Sequence, residues 1–136
     1  MNKVRAIYLQ AGKNIYPEIV EIMPDGSNLE ELYRLLNCRT IDIVKRPFGN
    51  KYFNVIVDDE GLLKDNFIPS AFSVAKTKGT QLDLVGNLLV VGPADDEGNF
   101  TEISDQEIFT IFMQVNFYKH NGESCYALMF REQVDD

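Results

Sequence analysis

The fold is decided by the stretch from Leu82 to Glu107, which opens with Leu82-Asp83-Leu84-Val85-Gly86-Asn87-Leu88-Leu89-Val90-Val91-Gly92 and continues through Pro93-Ala94-Asp95-Asp96-Glu97-Gly98 to Ser104-Asp105-Gln106-Glu107. The apolar run over 82–92 predicts one buried strand, and the acidic, glycine-ended segment predicts a turn. Ser104 and Glu107 have the spacing of a capping box, which predicts the start of a helix. The pattern specifies architecture, and no catalytic or cofactor motif accompanies it.

Upstream of that stretch, the sequence predicts two hairpins with a helix between them. Residues 4–9 and 15–23 are rich in β-formers and flank a turn signal, and residues 40–45 and 51–57 form a similar pair. Between the pairs, Ser27 and Glu30 suggest a capping box, and leucines at helical spacing predict a helix over 28–37.

Downstream of 57 the pattern is less regular. We expect a short helix over 70–75 and a polar loop over 76–80. From Ser104 the stripe of Ile108, Ile111, Phe112 and Val115 predicts a helix packed on a sheet that contains Val90. Phe109, Met113 and Phe117 widen that stripe and predict a well-buried helix. Residues 124–130 predict a last strand.

These elements do not alternate strictly as strand, helix, strand. They therefore predict an α+β fold with a largely antiparallel sheet built from hairpins and two main helices packed on one face. A length of 136 residues with 45% hydrophobic residues fits a single globular domain over 1–136.

Charge is unevenly distributed along the chain, whose net charge is −8. Residues 1–51 carry eight Lys/Arg and six Asp/Glu, whereas residues 52–136 carry five and fifteen. Such an acidic half repels phosphate backbones, so we expect no general nucleic-acid binding. It is either a solvated surface or a contact for a host protein with a basic surface, and the residues predicted for that contact are Asp95, Asp96, Glu97 and Glu102.

A compact positive cluster, Lys45, Arg46 and Lys51, flanks the loop predicted over 47–50. It offers charge for a phosphate or carboxylate ligand, with ordinary loop solvation as the alternative.

No catalytic or metal constellation stands out. His120 is the only histidine, and a turn is a poor place for an acid–base catalyst. Cys38 and Cys125 are too far apart in sequence for a local metal motif, so we expect no catalytic residues, no metal and no cofactor. The apolar runs are too short to span a bilayer and the N-terminus lacks a secretory pattern, which predicts no membrane association and a cytoplasmic location.

Four segments resemble a family known as domain of unknown function 3846, found in phages and mobile elements of bacteria. They are residues 55–63, 83–92, 96–100 and 103–108, and with the early helix they cover residues 3–115 loosely. This chain departs from the family at Asn66-Phe67, where the family often has Asn-Arg. The family supplies no catalytic residues to carry over, and it implies a mobile-element setting in which small accessory proteins bind host components.

The resemblance and the missing catalytic set together predict a non-enzymatic accessory protein that binds a host macromolecule or a small ligand. The alternative is a small-molecule-binding or hydrolytic domain that uses carboxylates together with Lys45, Arg46 and Lys51. The sequence does not specify an oligomeric state.

Overall fold

A computed structural model describes residues 2–131. In chain order the elements are β1 (Val4–Leu9), β2 (Glu18–Ile22), α1 (Leu29–Leu36), β3 (Ile41–Phe48), β4 (Lys51–Asp58), a short 3-10 turn (Gly61–Leu63), β5 (Pro69–Ala75), β6 (Gly79–Val85), β7 (Leu88–Val91), α2 (Asp105–Phe112), β8 (Val115–His120) and β9 (Glu123–Arg131). Both predicted hairpins, β1–β2 and β3–β4, are confirmed as antiparallel pairs.

The first sheet has five strands in the order β2-β1-β7-β4-β3, and every neighbouring pair is antiparallel. Its central strand is β7, where Val90 pairs with Ile7 of β1 and with Val55 of β4. All four residues of β7 are buried because the sheet is covered on both faces. That double burial explains the continuous apolar sequence of this strand.

The second sheet has four strands in the order β6-β5-β9-β8, and it packs against the first. The pair β5–β9 is parallel, while β5–β6 and β8–β9 are antiparallel. Between the sheets lies the larger core, with Phe53, Val55 and Val90 from the first sheet and Leu84, Leu128 and Phe130 from the second. The predicted α+β class with largely antiparallel pairing is therefore confirmed, although the strands form two sheets.

The prediction that both helices pack on one face is not confirmed. Leu32, Leu35 and Leu36 of α1 belong to a cluster with Ala6, Tyr8, Leu89 and Val91, whereas Ile108 and Ile111 of α2 belong to the core between the sheets. Consecutive strand residues point to opposite faces, and β1 and β7 each contribute alternate residues to the two clusters. The two helices therefore lie against opposite faces of the first sheet.

The predicted single strand over 82–92 is wrong. It is two strands, β6 and β7, that belong to different sheets. The chain turns between them at Gly86, whose φ of +77° is a conformation that residues with a Cβ rarely adopt. Its backbone N–H donates to the carbonyl of Ile68, which anchors the turn to the segment before β5.

Two further predictions on the second sheet are wrong. Residues 70–75 form most of β5 rather than a helix, and α2 ends at Phe112, so that Val115 begins an unpredicted strand, β8. The widening residues Phe109, Met113 and Phe117 are exposed. Only the narrow stripe of α2, Ile108 and Ile111, enters the core, with Phe112 and Val115 partly buried beside it.

Helix capping matches the prediction at α2 and shifts by one residue at α1. Ser104 and Glu107 form the predicted capping box, each side chain bonding the other residue's backbone N–H. At α1 the cap is Asn28 rather than Ser27, and its amide oxygen accepts from the N–H of Glu31 at 3.4 Å. Neither helix, nor any other within residues 2–131, is long and apolar enough to cross a membrane.

Candidate functional site

An open groove lies on the face of the first sheet that α1 only partly covers. The helix covers β1 and β7, and it leaves the edge strand β3 partly open beside the buried residues of β4. The resulting cavity has a volume of about 410 Å³, which is within the usual range for ligand pockets. Its apolar lining comes from α1, β3, β4 and the loop before α2, namely Leu29, Leu32, Ile41, Ile43, Ile56 and Phe100.

The groove exposes apolar side chains at positions where an edge strand usually carries polar ones. Ile43 lies on β3, at the edge of the sheet, and 47% of its surface is exposed. Leu29, on the first turn of α1, is exposed to a similar degree. Two neighbouring large apolar side chains left this open to water mark a surface suited to a partner or a ligand.

One wall of the groove is the acidic turn, which we define as residues 94–98. The side chain of Asp95 accepts hydrogen bonds from the backbone N–H of Glu97 at 2.9 Å and of Asn99 at 3.0 Å. Ala94 and Phe100 close the loop as an isolated bridge, and the N–H of Phe100 donates to the carbonyl of Pro24. The turn is thus held in place beside the groove, with Ala94 and Gly98 in its lining.

Charges around the groove are mostly negative. Asp95, Asp96 and Glu97 are exposed on the acidic turn, and Asp25 is also part of the groove lining. Hydrogen bonds from Ser27 lower the pKa of Asp25 and so keep it ionised. Among residues 2–131, Lys45 is the one cation in the lining, so the groove combines an apolar floor with a predominantly acidic rim.

Glu102, the fourth residue predicted for the acidic contact, lies in a different setting. Its carboxylate accepts from the backbone N–H of Arg5 at 2.6 Å and is 3.6 Å from the guanidinium of the same residue. Arg5 also bonds Asp105 at 2.7 Å and the carbonyl of Ile103 at 2.6 Å, which ties β1 to the segment that leads into α2.

The predicted basic cluster does not form one site. Lys45 faces the groove, while its neighbour Arg46 lies on the opposite face and bonds Asp83 through two nitrogens, at 2.7 and 3.0 Å. Lys51 is bonded to the carboxylate of Glu107. Two of the three cations therefore already have carboxylate partners, and only Lys45 borders the groove.

A second cavity, of about 420 Å³, opens between the two sheets next to the pair of Arg46 and Asp83. Apolar side chains from both sheets line it, including Val44, Val57 and Leu84. Asp58 lies at its edge and at the edge of a smaller neighbouring cavity, where it is bonded to Lys64 at 2.6 Å. Arg46, Asp58 and Asp83 are in ion pairs here, and the other two acids of the lining are Asp42 and Asp59. The basic residue of this lining, Arg46, is therefore already paired with a carboxylate.

Within residues 2–131, no group of three or more His, Cys, Asp or Glu side chains is placed to hold a metal ion. The two Asp-Asp-Glu-Gly turns are separate features: Asp58 pairs with Lys64 between the sheets, and Asp95 lies beside the groove. Cys38 and Cys125 are both free thiols, and burial raises the pKa of Cys38. The expectation of no metal or cofactor stays a prediction.

Comparison with known proteins gives one family. The model of the family described as "Domain of unknown function (DUF3846)" matches residues 4–116. The chain belongs to the DUF3846 family. Neither the curated proteins nor the solved structures gave a match.

The DUF3846 match includes every element that forms the groove. It runs from the start of β1 to the second residue of β8, so it contains α1, β3, β4, β7 and the acidic turn. Most of β8 and all of β9 lie beyond it. The groove therefore belongs to the part of the chain that defines the family.

Sequence reasoning found the acidic turn and Lys45 but missed the groove between them. The missed residues are Leu29, Ile43 and Phe100, for which the sequence predicted no binding role. A signal was present in β3, where Ile41, Ile43 and Lys45 alternate with Asp42, Val44 and Arg46. Two half-polar faces are typical of an edge strand, and edge strands are incompletely covered.

Proposed function

We propose that this DUF3846 protein is a non-enzymatic binding protein that takes up an apolar segment of a host protein, flanked by basic residues, in the groove beside α1. The observation that carries the proposal is the open apolar floor around Ile43 next to the acidic turn. Apolar anchors supply most of the affinity at protein interfaces, and complementary charge on the rim supplies speed and selectivity.

The cellular setting is part of the proposal. The resemblance to phage and mobile-element proteins supports an accessory role in a bacterial host, and we place that role in the cytoplasm. A net charge of −8 opposes general nucleic-acid binding, which leaves a basic protein surface as the complementary partner.

A direct test uses a displayed library of random peptides panned on the immobilised protein. We expect recovered peptides to combine a large apolar residue with neighbouring Lys or Arg. Binding should be lost on Ile43→Asp and kept on Ile19→Asp, a matched control because Ile19 is 46% exposed on the opposite edge of the same sheet. Peptides without basic residues, or binding that Ile43→Asp leaves intact, would contradict the proposal.

The charge contribution has its own test. Reversing the charges of Asp95, Asp96 and Glu97 to Lys should slow association with a selected peptide and remove most of its salt dependence, because exposed charges act mainly on the encounter rate. If neither the salt nor the triple reversal changes the on-rate, the acidic turn serves only solubility.

A small ligand is the second candidate, supported by the volume of the groove, about 410 Å³. Native mass spectrometry of the protein purified from cells would show a retained small molecule, and Ile43→Asp should release it. In that case library panning would recover no peptide that competes for the groove.

A further inference from the structure

A second apolar surface lies on elements that do not line the groove. It is formed by the end of α2, by β8 and β9 and by the loop before β2, and we call it the aromatic patch: Tyr16, Phe109, Phe112, Met113, Phe117 and Tyr126. Phe109, Met113 and Phe117 are between 61% and 65% exposed. Large apolar side chains with this degree of exposure rarely occur together on a monomer without a binding role.

The patch is one surface rather than scattered residues. The ring of Tyr126 lies 4.3 Å from that of Phe117 and 5.1 Å from that of Tyr16, and Tyr16 in turn lies 5.5 Å from Phe112. Phe109 precedes Phe112 by three helical residues and so borders it on the same side of α2. The aromatic contacts therefore join α2, β8, β9 and the loop before β2.

The same patch contains a sheet edge with few protective features. Strands β2, β3, β6 and β8 are the edges of the two sheets in the described part of the chain. β2 carries Glu18 and Glu21, β3 contains Pro47, and β6 contains Asp83. β8 has six residues, neither proline nor acid, and a single cation, Lys119, so its free edge is open to pairing with another strand.

Charge identifies the occupant of this edge. The chain has a net charge of −8, yet residues 108–122 contain no Asp or Glu at all. Two copies of an acidic protein repel each other on most of their surfaces, and they approach with least repulsion where acids are absent. We infer that two copies of this chain associate through β8, pairing the two edge strands antiparallel and covering the aromatic patch of each.

Such a pairing is self-consistent. An antiparallel strand pair about a twofold axis is isologous, because where one residue of the first copy faces a second residue of its partner, the same pair also meets with the copies exchanged. An axis at Phe117 sets the two Phe117 side chains together and places Lys119 of each copy opposite an uncharged Val115. The second sheets of the two copies then become one continuous sheet of eight strands.

Sedimentation equilibrium over a range of protein concentrations tests the inference. We expect a reversible species of twice the chain mass, and Phe117→Lys should weaken the association at least about thirtyfold, which corresponds to about 2 kcal/mol at an interface hot spot. Leu62→Lys is the matched control, since Leu62 is 60% exposed on the 3-10 turn after β4, outside the patch. It should leave the equilibrium unchanged.

Met113→Lys gives a second variant at the end of α2, with circular dichroism to confirm that each variant is folded. Hydrogen exchange separates strand pairing from a contact between faces, because pairing slows the exchange of β8 amides as protein concentration rises. The inference is overturned if the wild type is monomeric at all concentrations, if the dimer survives both patch variants, or if β8 exchange does not depend on concentration.

Discussion

The placement of α2 makes a quantitative prediction about two neighbouring helix positions, Ile111 and Phe109. Ile111 is fully buried between the sheets, while Phe109, two residues earlier on the same helix, is 64% exposed. Ile111→Ala removes three buried carbon groups, each worth about 0.8 kcal/mol of transfer free energy, and leaves a cavity that adds to the cost. We expect a loss of about 3–4 kcal/mol in the free energy of unfolding.

Phe109→Ala is the internal control. It removes the larger side chain, but most of that side chain is in water, and alanine is the better helix former. We expect a change within about 0.5 kcal/mol, as for surface substitutions. Volume alone would rank the two substitutions in the opposite order, so the comparison tests burial directly.

Urea denaturation followed by circular dichroism measures both values, with the m-value checked to confirm that the unfolding transition is comparable. Each variant is measured at two protein concentrations, because association through the aromatic patch would make the apparent stability depend on concentration. A cost above about 2 kcal/mol for Phe109→Ala together with one below about 1 kcal/mol for Ile111→Ala would show that the opposite face of α2 is buried.

Three further predictions concern ionisation and backbone packing. Bonding to Lys51 lowers the pKa of Glu107 below its ordinary 4.5. The stability that Glu107 contributes is therefore present above pH 4.5 and is lost as the pH falls through the lower pKa of the folded state. Glu107→Gln should make the unfolding free energy depend less on pH in the acidic range. Burial raises the pKa of Tyr118 to about 12, so this tyrosine should ionise late in an ultraviolet titration, and its stabilisation should be complete below pH 10 and lost as pH passes 12. Burial also raises the pKa of Tyr8, so Tyr118→Phe should reduce the late absorbance change by one tyrosine rather than abolish it. A Cβ on Gly92 would lie 2.4 Å from the carbonyl oxygen of Thr101, so Gly92→Ala should lower the unfolding free energy by about 1–3 kcal/mol in urea denaturation.

The sequence predicted local structure well where pattern and caps agreed. The hairpins β1–β2 and β3–β4, both helices and the capping box at Ser104 all follow from short-range signals. The errors share a different cause. Residues 82–92 are mostly apolar because the end of β6 and all of β7 are buried on either side of Gly86, and hydrophobicity does not reveal that the chain passes from one sheet to another there.

The missed strand β8 shows that apolar residues at helical spacing can form a strand when tertiary contacts favour it. Val115 and Phe117 continue the spacing of α2, but the chain leaves the helix after Phe112 and pairs with β9, where Phe117 faces Tyr126. Both proposed binding surfaces, the groove and the aromatic patch, contain apolar side chains whose exposure the sequence did not predict. Phe117 and Ile43 are apolar residues on edge strands, and only sheet order shows which strands are edges.

Folding also redistributes the charge that looked segregated in the sequence. Four of the seven acids between Asp83 and Glu107 find cations from residues 1–51: Arg5 bonds Glu102 and Asp105, Arg46 bonds Asp83, and Lys51 bonds Glu107. The basic N-terminal segment and the acidic C-terminal segment are thus partners within one molecule. Asp95, Asp96 and Glu97 are the exposed remainder, and they stand beside the groove. A field spread over the whole acidic half would attract any basic surface, whereas charge concentrated at the groove favours a basic segment that also carries an apolar anchor for Ile43.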